Sequence, residues 1–173
     1  MPNKSHQTHS LAPGLVRRAH EIVRLLKRKK VRIVTAEACT GGLVAAALSQ
    51  APGAADVLEG GFVTYTKAQK STALGVNRAQ LKHQGAVTVA VARRMAEGAL
   101  ARSSAQVAIS VTGVLGPKPD EDGNPVGLVF FGCARRRART QVVEHRFPRL
   151  SYGRLRAVAV MTAFAIIDAA VRK

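Results

Sequence analysis

The chain has 173 residues, 47% of them apolar, and a formal net charge of +17 from 27 Lys and Arg against 10 Asp and Glu. That length and apolar content suit one domain with its own core and exclude wholesale disorder. No apolar run approaches the ~20 residues of a membrane span, and segment 1–10 lacks the apolar centre of a secretory signal.

Residues 1–12 read as a flexible tail and 13–173 as the domain. Leu15, Val16, Ala19, Ile22, Val23 and Leu26 recur at helical spacing, which predicts an amphipathic helix over 13–29. Pro13 stands at its start, where a missing N–H costs nothing. A short strand is predicted over 31–35, then an alanine-rich helix from Gly41 to Ala51, closed by Pro52-Gly53. Gly60 to Thr66 reads as a second strand. Lys67 to Leu74 and Asn77 to Gln84 read as short helices stopped by Gly75 and Gly85. Thr88 can cap the next helix, whose apolar face carries Val89, Ala92, Ala96, Ala99 and Leu100. Val107 to Thr112 is apolar on both faces, as in a covered sheet. A loop over 113–125 follows. Val126 to Ala134 and Thr140 to Phe147 then form an antiparallel hairpin around an arginine-rich turn, and Leu155 to Ile167 mark a long final helix. Helices before and between strands predict the α/β class: a single three-layer α/β/α sandwich with a mixed sheet.

The basic residues cluster as Arg24/Lys27/Arg28/Lys29/Lys30 and as Arg135/Arg136/Arg137/Arg139, both at ends of elements. Aromatics make up 4% and Trp is lacking, so stacking platforms for bases are scarce. No helix-turn-helix or zinc-finger spacing occurs. These clusters therefore read as solvated ends, and nucleic acid is not the expected partner. Two cysteines, Cys39 and Cys133, make no disulfide framework and point to the reducing cytoplasm. No Cys/His group has zinc-ligand spacing. The acidic run Asp120, Glu121, Asp122 and Asn124 fails the EF-hand pattern, because Gly123 and Pro125 fall in the wrong places. No metal site and no cofactor is expected.

Three blocks carry chemistry. Thr35-Ala36-Glu37-Ala38-Cys39-Thr40-Gly41-Gly42 joins a strand to a helix, a geometry that presents backbone N–H groups to anions. Gly60-Gly61-Phe62-Val63-Thr64-Tyr65, leading to Lys70, and Thr112-Gly113-Val114-Leu115-Gly116-Pro117 follow. In that order, from about Val16 to the C-terminus, the blocks resemble the CinA C-terminal domain family, whose best-known activity is nicotinamide mononucleotide amidohydrolase. The family's first block reads Ala-Glu-Ser-Cys-Thr-Gly-Gly, with the Ser as proposed nucleophile. Here that position is Ala38.

The resemblance implies a nucleotide pocket, a homodimer and hydrolysis of the mononucleotide to nicotinate mononucleotide and ammonia. It makes Lys70 the base and the Thr40, Gly41 and Gly42 amides the donors to an oxyanion or phosphate. It also puts Thr112 and Gly113 at the border of the pocket. A lysine acts as a base only when desolvation or nearby charge lowers its pKa, and Lys67 shares its helical face. Ala38 has no heteroatom. Cys39 and Thr40 are the neighbours that could substitute, the former if the helix end lowers its thiol pKa. Glu37 reads either as a partner of the lysine or as a carboxylate complementing a helix dipole. Tyr65 can stack on a ring or bond a substrate. Arg154 or Arg156 can hold a phosphate bidentately or face solvent. Three readings follow: an amidohydrolase, a catalytically silent nucleotide-binding relative, and a basic nucleic-acid binder.

Overall fold

The structure, a computed structural model, describes residues 11–173. Five strands form one mixed sheet, with β1 Ile33–Glu37, β2 Leu58–Val63, β3 Val107–Gly113, β4 Leu128–Arg135 and β5 Gln141–Arg146. Their spatial order is β2-β1-β3-β4-β5. β2, β1 and β3 run parallel, and β4 and β5 pair antiparallel. Six helices cover the sheet: α1 Pro13–Lys29, α2 Leu43–Ser49, α3 Lys67–Leu74, α4 Arg78–Gln84, α5 Val89–Ala101 and α6 Tyr152–Arg172. The three-layer reading and the mixed sheet are both found. Of the expected tail, residues 1–10 lie outside the described residues. Leu11 packs against the core.

Strand alternation sorts the two layers. Ile33, Ile109, Val111, Val129 and Phe131 face α1, α2 and α6, where Ile22, Leu26, Leu48, Leu155, Phe164 and Ile167 complete the larger core. Val34, Ala36, Ala108 and Ala134 face α3, α4 and α5 with Leu74, Leu81 and Met95. The small residues of this second face let α5 lie close. Ser110 donates to the Ala92 carbonyl at 2.6 Å, and a Cβ on Gly132 would sit 2.5 Å from the same oxygen.

Element boundaries move for local reasons. β1 starts at Ile33 rather than Val31 because the Val31 N–H is bound to the Leu26 carbonyl, finishing α1. Helix α2 starts two residues later than expected because Gly42 sits at φ 88°, a left-handed conformation that ordinary residues avoid. β2 ends at Val63 because Thr66 turns to cap α3, its hydroxyl accepting from the Gln69 N–H at 3.1 Å. All three parallel strands thus deliver their carboxyl ends to one edge of the sheet, where α/β folds collect ligands.

Candidate active site

A cavity of about 620 Å³ opens at that edge. Ala38 and Cys39 line it from the end of β1, Tyr65 and Lys70 from the β2–α3 junction, and Thr112 and Gly113 from the end of β3. These six expected residues, drawn from three separate blocks, share one space. Gly113 is required by packing: a Cβ there would meet the Leu128 carbonyl oxygen at 2.6 Å. Thr112 donates its hydroxyl to the Ala86 carbonyl at 2.9 Å.

The strand–helix corner is wired differently from its expected role. Glu37 is fully buried. Its carboxylate accepts from the Thr40 hydroxyl at 2.7 Å and from the Val44 and Ala45 amides at 3.0 and 2.9 Å. It is the cap of α2, an anion already installed at the helix N-terminus. Substrate cannot reach it, and it makes no pair with Lys70. The Gly41 N–H is bound to the Ala38 carbonyl at 3.0 Å. Gly41 and Gly42 do not line the cavity; they shape the turn, at φ 61° and 88°. Of the amides expected to receive an oxyanion, that of Gly41 is therefore committed inside the protein.

The same wiring removes one substitute nucleophile. The Thr40 hydroxyl is bound to Glu37 and its residue is fully buried. Cys39 does border the cavity, but burial pushes its thiol up to about 12, against a weaker pull from Lys70 and from the Cys39 and Thr40 amides. Desolvation of the thiolate outweighs the donors, so the thiol stays protonated at neutral pH.

Lys70 is 2% exposed, and its Nζ donates to the Thr64 carbonyl at 2.8 Å. Burial lowers its pKa to about 8. A nearby Cys39 thiolate would counter this shift, but that thiol is still protonated at pH 8. Lys67 adds a smaller push in the same downward direction, as its position on α3 predicts. Its own charge is engaged by Glu121 and Asp122 at 2.7 and 2.9 Å, which raise the Lys67 pKa. Desolvation, more than neighbouring charge, lowers the Lys70 pKa.

The arginines of the final block do not reach the cavity. Arg154 is exposed on the first turn of α6. Arg156 donates to the Thr40 carbonyl at 2.9 Å and lies 5.6 Å from the Tyr152 ring centroid. It ties α6 to the corner and supports Tyr152, which lines the cavity. Tyr152, which sequence reading missed, completes the wall with Lys118 and the acids Asp120, Glu121 and Asp122 of the loop after β3. Asp120 organises that loop, accepting from the Asp122 and Asn124 amides at 3.1 and 2.8 Å. One signal was available: the chain has two tyrosines, and both stand at this rim. Among the described residues no three His, Cys, Asp or Glu side chains are grouped to hold a metal ion. No helix among them is long and apolar enough to cross a membrane.

The CinA C-terminal domain family matches residues 16–171. A CinA-like protein of Leptospira borgpetersenii serovar Hardjo-bovis is 42% identical over 128 residues, 74% of this chain and 31% of the relative. A CinA-like protein of Akkermansia muciniphila is 41% identical over 139 residues, 80% and 34% of the two chains. The chain thus spans about a third of the length of these curated relatives. Among solved structures, the competence/damage inducible protein CihA of Agrobacterium tumefaciens superposes with a TM-score of 0.89 at 37% identity, covering 95% of this chain and 99% of that one. A CinA superfamily protein of Klebsiella pneumoniae gives 0.86 at 31% identity, covering 91% and 98%. With the profile, the relatives and the fold in agreement, the chain belongs to the CinA C-terminal domain family.

Proposed function

We propose that the cavity binds a nicotinamide-type mononucleotide and that the chain is an amidohydrolase scaffold whose nucleophile has been replaced, leaving binding with little turnover. The observation that carries this reading is that Ala38 and Lys70 border the same cavity. A base is present beside a position that offers only a methyl group. The two neighbouring heteroatoms give no replacement, since the Thr40 hydroxyl is bound to Glu37 and the Cys39 thiol is held protonated. The two rim tyrosines suit a flat heteroaromatic ring. Lys118 is the cavity cation available to a phosphate, since Lys67 is engaged by Glu121 and Asp122.

A second reading, slow hydrolysis by water, is favoured by the lowered pKa of Lys70. The neutral amine would take a proton from a water molecule, whose oxygen adds to the carboxamide carbon. The Lys70 ammonium then returns that proton to the amide nitrogen as the C–N bond breaks, releasing ammonia and leaving the carboxylic acid. Comparing the native chain with Ala38→Ser tests both readings. Nicotinamide mononucleotide should raise the native melting temperature without release of ammonia, whereas the serine variant should release it. Fast native turnover that serine does not improve would refute the assignment of position 38. Slow native turnover rising with pH through about 8 would select the water route.

A further inference from the structure

The two basic clusters are distant in the chain and adjacent in the fold. Ile33 at the start of β1 pairs with Val107 at the start of β3, and Val107 pairs with Arg135 at the end of β4. The end of α1, the β4–β5 turn and the start of both inner strands therefore share the edge of the sheet opposite the cavity. The C-terminus of α6 arrives at the same edge: Arg135 and Lys173 both lie near enough to Cys133 to act on its thiol.

Eleven cationic side chains gather here, at positions 27–30, 32, 135–137, 139, 172 and 173. Three have carboxylate partners: Lys27 with Asp56 at 2.6 Å, Arg32 with Glu59 at 2.6 Å and Arg172 with Asp168 at 3.1 Å. The others make no salt bridge to a carboxylate side chain among the described residues. Arg136 is fixed by donating to the Ala105 and Ser103 carbonyls at 2.8 and 2.7 Å, which orders the guanidinium without cancelling its charge.

We propose that this edge binds double-stranded nucleic acid through its phosphates, without reading bases. Charge density supplies the affinity, and arginine forks suit phosphate oxygens. The partner's form follows from what the surface lacks. Both tyrosines are at the other end of the sheet and the basic segments 27–32, 135–139 and 172–173 contain no Phe, Tyr or Trp, so these segments offer no aromatic stack to single-stranded bases. None of the large exposed apolar residues, Val63, Tyr65, Val89, Val143, Tyr152 and Met161, belongs to these basic segments. The surface therefore has no wedge for a bilayer or for a base step.

The test is fluorescence anisotropy of a labelled 24-base-pair mixed-sequence DNA duplex, titrated with the full chain between 50 and 200 mM KCl. We expect sequence-independent binding with a steep linear fall of log affinity against log salt. Replacing Arg28, Lys29, Arg137 and Arg139 by Gln should reduce the slope by about 3 to 4 and weaken binding at 50 mM salt by about 100-fold. Thermal melting of the variant establishes that it remains folded. Arg78→Gln with Lys82→Gln, on α4 beside the acidic loop, removes two charges elsewhere and should keep the native slope. The proposal fails if the native chain does not bind duplex at 50 mM salt, or if the fourfold variant keeps the native slope. It also fails if the α4 pair loses as much per charge, or if phosphatidylserine vesicles are bound and the duplex is not.

Discussion

The two ends of the sheet use charge in opposite ways. At the carboxyl ends of β1 and β2, Glu37 and Lys70 are buried and hydrogen-bonded inside the protein. At the other end, Arg28, Lys29, Arg137 and Arg139 are exposed and have no carboxylate partner among the described residues. Burial alters chemistry: it lowers the Lys70 pKa to about 8 and raises that of Cys39 to about 12. Exposure leaves each charge intact and makes only their number count. The first end is sensitive to one atom, the second to a sum.

The largest expected effect tests the single-atom end. Ala38→Ser should raise ammonia release from nicotinamide mononucleotide by at least about 10³-fold, since loss of a serine nucleophile costs on the order of 10⁶ in another hydrolase. A coupled ammonia assay reads this directly. In that variant the rate should climb through pH ~8 as Lys70 loses its proton, and Lys70→Met should abolish it.

Glu37→Ala comes next. It strands the buried Thr40 hydroxyl and two amides of α2, at about 3 kcal/mol, so the melting temperature should fall by roughly 6–12 °C. An unchanged melting temperature would show that the corner does not need its cap.

Lys70 also leaves a signature in stability. Its folded pKa of about 8 lies below the ordinary 10.5, so between these values the unfolded chain binds a proton that the folded chain has lost. Stability gained from this group therefore rises with pH across that window. Lys70→Met should be more stable at pH 7 by on the order of 2–3 kcal/mol and lose the advantage by pH ~10.5. Urea melts at several pH values measure it.

The smallest effect belongs to Lys67→Ala. Its pairs with Glu121 and Asp122 are partly exposed and contribute about 1 kcal/mol or less. Removing its charge should move the midpoint of the Ala38→Ser pH profile only slightly upward, because burial remains the main cause of the shift.

The elements were legible because their signals are local. The apolar stripe of α1, the Thr66, Asn77 and Thr88 caps, and the Gly75 and Gly85 stops all act within one turn of chain. The approach of Ala38, Lys70 and Thr112 was legible through the order of three blocks. The fate of Glu37 was not, although the dipole-complementing alternative pointed the right way. Its partners lie three, seven and eight residues ahead, at a register fixed by the left-handed turn at Gly41-Gly42. The absence of Arg156 from the cavity and the presence of Tyr152 were not legible for a similar reason: which one faces the cavity depends on how α6 docks.

The sequence by itself determined the fold class, the family and the alanine at position 38, because periodicity, motif order and residue identity are properties of the chain. Only the tertiary structure decided which polar groups face the cavity, that the thiol there stays protonated, and that clusters over a hundred residues apart share one edge of the sheet. Those outcomes depend on desolvation and on distances across the fold, which strand pairing and helix docking set.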